Sequence, residues 1–169
     1  MKYRFCPACG GALATRPVPQ DEHERLVCQG CGLVFYQNSK PCVGALVVRE
    51  DGRLLLVRRN IEPFKGAWDL PGGFLELGEH PDAGVVREVQ EETGLTIRPR
   101  DLLGIYMDWY GPEGDATLNL MYLVEIVGGD ARPASDAEAI GWFGPDELPE
   151  HIAFTCNRQA LADWRKRFP

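Results

Sequence analysis

Glu88 is followed three and four residues later by two more carboxylates, Glu91 and Glu92, within a stretch that carries the marks of a single helix. Proline at position 81 suits the first helical residue, where its missing N–H is not needed. Gly94 suits the left-handed position just past the end. These signals predict a helix from about Pro81 to Thr93. At roughly 100° per residue, Glu91, Gly84, Glu88 and Glu92 fall on one arc, and Val85, Val89 and Val86 on the next. One side of the helix therefore packs while the side beside it gathers negative charge. Like charges on adjacent turns weaken a helix unless a cation sits among them, and flexible oxygen donors suit Mg²⁺ or Mn²⁺. The alternative for such a face is a solvated acidic surface.

A second group of chemically capable residues lies at the N-terminus. Cys6-Pro7-Ala8-Cys9-Gly10 and Cys28-Gln29-Gly30-Cys31-Gly32 form two CxxC pairs separated by eighteen residues. Each pair is a tight turn aiming two sulfurs at one point. Together Cys6, Cys9, Cys28 and Cys31 make a four-cysteine zinc-ribbon pattern. All four coordination positions come from protein, so the zinc is expected to be structural, and to supply the folding free energy of so small a segment. Disulfides compete for these cysteines, but suit a chain with an export signal. A redox site would need one pair near a βαβ pattern. Cys42 and Cys156 sit among apolar residues and read as buried thiols.

Several elements must position these groups. Val43–Arg49 and Leu54–Arg59 are strand-like runs joined by the hairpin signal Glu50-Asp51-Gly52. Trp68-Asp69-Leu70-Pro71 leads into the glycine turn Gly72-Gly73. Leu102–Trp109 and Thr117–Val127 read as a second hairpin around a Gly/Pro-rich loop. Gly128–Ala137 reads as a polar loop, Gly141–Phe143 as a short strand and Pro145–Leu148 as a helical turn. Thr155–Phe168 is an amphipathic helix with Leu161, Trp164 and Phe168 on one side. Tyr36–Pro41 reads as a linker, dividing the chain into a ribbon over residues 1–38 and a larger domain over 39–169. Strands accompanied by two main helices imply an α/β fold with a sheet covered on both faces.

Composition excludes several classes of function. The 169 residues are 44% hydrophobic and 25% charged, which suits an ordinary globular chain with a real core plus a small appendage. The longest apolar runs are strand-sized, too short to span a bilayer. The opening residues lack the apolar stretch of a signal peptide, so a cytoplasmic location is the expectation and no membrane partner is expected. A net charge of −7 argues against nucleic-acid binding by the whole protein. The ribbon carries five Lys/Arg against three Asp/Glu over residues 1–40, and a zinc tetrathiolate brings it near neutrality. A structural or homodimer-forming role is expected of it.

The stretch Gly73–Leu95 resembles the Nudix box, Gly-x5-Glu-x7-Arg-Glu-U-x-Glu-Glu-x-Gly-U with U a bulky aliphatic residue. Gly73, Glu79, Arg87, Glu88, Val89, Glu91, Glu92, Gly94 and Leu95 fill every fixed position. The resemblance implies an α/β/α sandwich with a mixed sheet, preceded here by the small zinc-ribbon domain. It also implies hydrolysis of a nucleoside diphosphate linked to another moiety, with water attacking phosphorus and divalent metal assisting. Glu88 and Glu92 are then metal ligands, Glu91 a third, and the Gly73 carbonyl completes the site. Arg87 orients a box carboxylate, with Glu76 or Glu79 as its partner. Family members draw the general base from the box or from a later loop, where Asp136 and Glu138 are the candidates; the usual loop position falls nearer 139, which is alanine here. The residue after the box glutamate is commonly a better N-cap than His80.

Arg58 and Arg59 are candidates for gripping substrate phosphates. Strand neighbours point to opposite faces, so the competing reading is one solvent-facing arginine and one structural pair. Tyr106, Trp109 and Tyr110, where a strand meets a loop, are candidates for stacking; Trp68 and Trp142 read as core. His23 and His151 have no pattern around them. NADH pyrophosphatases combine a ribbon with the box, but their Ser-Gln-Pro-Trp-Pro-Phe-Pro element is not matched here. ADP-ribose pyrophosphatases tend to carry a proline about sixteen residues past the box, one place short of Pro112. Over nearly its whole length the chain resembles ribbon-bearing proteins similar to plant chloroplast FAD and ADP-ribose pyrophosphatases. The shared features are Phe5-Cys6-x-x-Cys9-Gly10, Tyr36-Gln37-Asn38-x-Lys40, Arg59-Asn60-Ile61-x-Pro63 and Leu148-Pro149-x-x-x-Ala153-Phe154. That resemblance orders the small-molecule substrates as ADP-ribose or FAD, then NADH, then nucleoside triphosphates. The contrasting class is a regulatory module that senses a nucleotide.

Overall fold

The computed structural model describes residues 3–111 and 114–167. Pro112 and Phe168 lie outside them. The chain divides into two compact units, Met1–Ser39 and Lys40–Pro169. In the first, β1 (Leu13–Arg16), β2 (Arg25–Cys28) and β3 (Val34–Phe35) form an antiparallel sheet in the order β1-β2-β3. The two cysteine turns flank it: Gly10 N–H donates to the Cys6 carbonyl and Gly32 N–H to that of Cys28.

The second unit contains β4 (Lys40–Val47), β5 (Leu54–Arg59), β6 (Trp68–Asp69), β7 (Gly72–Phe74), α1 (Pro81–Thr93), β8 (Leu95–Trp109), β9 (Ala116–Gly129), β10 (Ala137–Phe143) and α2 (Thr155–Arg167). One sheet runs β7-β4-β9-β8, mixed because β4 and β9 are parallel; the other runs β10-β5-β6. Strand alternation sends side chains into two cores. Val43, Ala45, Val47 and Leu55 pack with Val85 and Val89 of α1. Leu46, Leu54 and Leu56 pack with Ala160, Leu161 and Trp164 of α2. Each helix thus covers one face, giving the α/β/α arrangement. Among the described residues no helix is long and apolar enough to cross a membrane.

The helix α1 has the expected bounds. His80 does serve as its N-cap, with Nδ1 accepting from Asp82 N–H at 3.2 Å, and Gly94 closes it at φ 71° by donating to the Gln90 carbonyl. Cys42 and Cys156 are buried. Several elements differ from the sequence reading. β4 starts at Lys40, inside the expected linker, because it pairs with β9 from there, and β10 starts at Ala137 rather than Gly141 because it pairs along the whole of β5. Glu50-Asp51-Gly52 does make a tight turn, but β4 and β5 pair only at Val48–Leu54 and then enter different sheets, because each has better partners elsewhere. β8 begins at Leu95 rather than Leu102, since Leu95 and Ile97 continue the core beside α1. It absorbs Pro99 as an edge strand can, with a register shift between Pro99 and Asp101. β9 runs on through Gly129, so the polar loop starts at Asp130. Pro145–Leu148 is a single turn closed by Glu147 N–H on the Gly144 carbonyl.

Candidate active site

The glycine turn lies so close to β4 on one side and α1 on the other that side chains would not fit there. A Cβ on Gly72 would lie 2.1 Å from the Val43 carbonyl oxygen, and one on Gly73 would lie 2.6 Å from Glu88 Oε1. Gly72 N–H donates to Glu92 Oε2 at 3.0 Å, which ties the last turn of the helix to the turn before β7. Glu92 is half-buried, and burial first, then the charges of Asp69 and Glu88, pushes its carboxyl up to about 8. Burial also raises Glu88, against the opposing pull of Arg87.

Arg87 organises the outer side of the same group. Its Nε and Nη2 grip Glu79 bidentately at 2.8 Å each, Nη1 reaches Glu88 at 2.8 Å and Glu91 at 3.2 Å, and Nη2 also reaches the Phe74 carbonyl. That fork holds Glu79 down to about 2. Glu76, the other expected partner, instead gives its N–H to Glu79 Oε2 at 2.9 Å. Glu88 and Glu91 therefore lean on Arg87 while Glu92 leans on Gly72.

A cavity of about 270 Å³ opens beside this group. Of the residues singled out from sequence, Gly73, Glu88, Glu92, Arg59, Tyr110 and Asp136 line it. Others are placed elsewhere. Arg58 faces outward, with Nε on the Gly66 carbonyl at 3.0 Å and 3.9 Å from Glu138. Tyr106 turns to α2, where its hydroxyl donates to Asp163 at 3.1 Å. Trp109 is exposed. Glu91 is exposed at the rim of the Arg87 cluster.

The cavity also holds residues that sequence reasoning passed over. Asp69 is buried, accepts from Asn157 Nδ2, and lies 2.8 Å from Arg59 Nη1. Burial lifts it to about 6 despite that arginine. Phe154 sits beneath Arg59, its ring centroid 5.0 Å from the guanidinium carbon. Asp69 stands in the Trp68–Pro71 run and Phe154 ends the Leu148–Phe154 element; these two positions were the available signals. Nothing local marks Asn157, which meets Asp69 from α2.

In the first unit the four cysteine sulfurs lie within 4.8 Å of one another. Cys6 Sγ and Cys31 Sγ are 3.8 Å apart and Cys9 Sγ and Cys28 Sγ 3.5 Å. Bonds of about 2.3 Å to a tetrahedral zinc would set such edges near 3.8 Å, so the donor set fits the ion. Backbone N–H groups of Cys31 and Gly30, each 3.4 Å from Cys28 Sγ, draw that thiol down, whereas the neighbouring sulfurs push Cys9 up, so without a cation the four thiols do not all ionise together. Gly11 leaves room for the sulfurs: its Cβ would sit 3.0 Å from Cys28 Sγ.

Residues 38–164 match the family model described as NUDIX domain. The chain belongs to the Nudix hydrolase family. Residues 4–37 match the Nudix N-terminal zinc-ribbon model. A MutT-like protein from Streptomyces ambofaciens is 42% identical over 66% of this chain and 68% of its own length. An ADP-ribose pyrophosphatase from Methanocaldococcus jannaschii is 36% identical over 64% of this chain and 63% of its own. The NAD-capped RNA hydrolase NudC of Pseudomonas aeruginosa is 35% identical over 86% of this chain, which spans only 49% of that protein. Among solved structures, a NUDIX hydrolase from Nitrosomonas europaea is 29% identical, with a TM-score of 0.82 over 98% of this chain and 92% of that one.

Proposed function

We propose that this Nudix protein is a divalent-metal-dependent pyrophosphatase acting on a nucleoside diphosphate linked to a second moiety. ADP-ribose or FAD is the leading substrate, NADH the next and nucleoside triphosphates the third. The observation that carries this reading is the convergence of Gly73, Glu88, Glu92 and Arg59 on one cavity. Glu88 and Glu92 are the metal ligands, joined by the Gly73 carbonyl and Glu91. Half-buried carboxylates with raised pKa values and hard oxygen donors fit Mg²⁺ or Mn²⁺, which would stabilise their charged forms. When bound, the ion supplies Lewis-acid polarisation of phosphate oxygens and lowers the pKa of a water it holds.

The chain's own residues do the rest. Arg87 fixes the carboxylates through Glu79, and Arg59 binds a phosphate oxygen. Asp136, on the cavity wall, takes the proton of the attacking water; Glu138, paired with Arg58, is worse placed. A new P–O bond to water oxygen forms as the bridging P–O bond of the diphosphate breaks, giving two phosphate monoesters. Residues 1–38 form the ribbon, with structural zinc on Cys6, Cys9, Cys28 and Cys31, and residues 39–169 the hydrolase domain.

The 36% identity to an ADP-ribose pyrophosphatase supports the first substrate. The 35% identity to NudC, which covers 86% of this chain, supports the NADH-type alternative. A panel of ADP-ribose, FAD, NADH and nucleoside triphosphates with Mg²⁺ or Mn²⁺ tests the ordering by kcat/KM. ADP-ribose or FAD should lead, and EDTA should abolish turnover. Turnover of triphosphates alone would overturn the substrate class. Nucleotide binding with no turnover of any substrate would favour the sensor reading.

A further inference from the structure

Asp69 is buried, and both of its oxygens are engaged by side chains. Oδ2 accepts from Arg59 Nη1 at 2.8 Å, and Oδ1 accepts from Asn157 Nδ2. Asn157 is itself buried, in the first turn of α2. Its other contact sets the direction of its amide: Cys156 Sγ donates to Asn157 Oδ1 at 3.7 Å, which leaves Nδ2 for the carboxylate. Backbone bonds pin the two elements together here. Trp68 N–H donates to the His151 carbonyl at 2.9 Å, and Ala153 N–H to the Trp68 carbonyl at 2.7 Å. Cys156 N–H donates to Asp108 Oδ2 at 2.7 Å, which anchors the start of α2 to β8. Asn157 therefore reaches Asp69 from a fixed backbone.

Arg59 is held on three sides. Nε donates to the Pro63 carbonyl at 2.8 Å, Nη1 pairs with Asp69, and the guanidinium lies over the Phe154 ring. A planar fork with these contacts has one nitrogen left to offer, Nη2. That nitrogen is buried and has no hydrogen-bond partner among the described residues. A buried guanidinium N–H without an acceptor is costly, and an anionic oxygen in the cavity would satisfy it. Where Nη2 points depends on the plane of the Asp69 carboxylate. Rotation of an aspartate carboxyl about χ2 is soft, so the bond to Arg59 alone would not fix that plane. The bond from Asn157 to the other oxygen does.

We propose that Asn157 is a positioning residue for phosphate binding: through Asp69 it holds Arg59 with Nη2 turned to the cavity. The helix α2, which covers the face opposite α1, thereby sets the affinity for the diphosphate. The proposal deepens the functional reading above and rests on it for the role of Arg59 toward phosphate.

The test measures binding of α,β-methylene-ADP, whose P–C–P bridge is not hydrolysed, by calorimetry on the full chain with Mg²⁺. Asn157→Leu keeps the volume and removes the donor. Its dissociation constant should rise about tenfold or more, the scale of a hydrogen bond to a charged group. In an Arg59→Lys background, which already lacks Nη2, the same change should alter binding by less than about twofold. A role in packing alone would weaken both backgrounds equally. Asn157→Asp alone should weaken binding as Asn157→Leu does. Adding Asp69→Asn should restore it to within about threefold, because the exchanged amide accepts from Arg59 and donates to the carboxylate at 157. No measurable binding of the analogue, unchanged binding in Asn157→Leu, equal losses in the two backgrounds, or an exchange variant that fails to rescue or to fold would overturn the proposal. Coupled binding without turnover of any substrate would sink the hydrolase reading and leave this relay standing; turnover with uncoupled binding would do the reverse.

Discussion

Glu92 accepts a hydrogen bond from the backbone N–H of Gly72, 3.0 Å away and twenty residues earlier in the chain. The contact buries a carboxylate at the point where helix and turn meet, and burial holds its proton to about pH 8 instead of the ordinary 4.5. Between those values the folded protein keeps a proton that the unfolded chain has lost. Stability of the metal-free protein should therefore fall as pH rises from about 4.5 through about 8. Glu92→Gln keeps an acceptor for Gly72 but never ionises. In EDTA the variant should show a flatter pH dependence and melt higher at pH 8.5; an identical slope would contradict the account. With metal present, its kcat should fall by about 10²-fold or more with the fold intact, as expected when a metal-assisted step loses a ligand.

Gly73 leaves the space that Glu88 occupies. Gly73→Ala would put a methyl group 2.6 Å from the present Glu88 Oε1 and push the carboxylate aside. Metal affinity should drop by about 10–100-fold while far-UV circular dichroism stays the same. Unchanged affinity would show that Glu88 does not ligate from this position.

Arg87 joins three glutamates and a carbonyl through a planar fork that lysine cannot reproduce. Arg87→Lys should lower kcat at least about tenfold through misplacement of the carboxylates. Glu79, held at about 2, contributes stability above its ordinary 4.5 that is lost as pH falls through about 2. In the variant Glu79 should titrate nearer 4.5, and acid stability should fall off at higher pH. Titration of the Glu79 side chain by NMR checks this directly; an unmoved Glu79 would mean that Arg87 is not what holds it down.

The cysteine cluster predicts one zinc per chain that survives removal of magnesium. Cys28→Ser should release it and unfold residues of β1–β3, while the signals of α1 and β4 persist. Metal analysis with amide NMR decides the matter, and a zinc-free protein with an intact ribbon would refute the structural role.

The bounds of α1 were legible because Pro81, Gly94 and the valine stripe all act locally. The partner of Arg87 was half legible: the Nudix resemblance left Glu76 and Glu79 open, and the turn between β7 and α1 decides for Glu79. The expected hairpin β4–β5 was only half legible. Its turn is local, but the partners that draw the two strands apart, β9 and β10, come roughly eighty residues later. Strand alternation left Arg58 and Arg59 undecided. The tertiary fold separates them, sending Arg58 to the surface and Arg59 into the cavity beside Asp69 and Phe154.

By itself the sequence determined the reaction chemistry that the Nudix box implies and the four-sulfur cluster, because both depend on residue types at fixed short spacings. Only the tertiary structure decided how deeply Glu92 is buried and which aromatic residues face the cavity. It also decided that Asp69 and Asn157, eighty-eight residues apart, meet beneath Arg59. Those features depend on which strands pair and which helix covers each face, and long-range pairing leaves no periodic trace in the segments it joins.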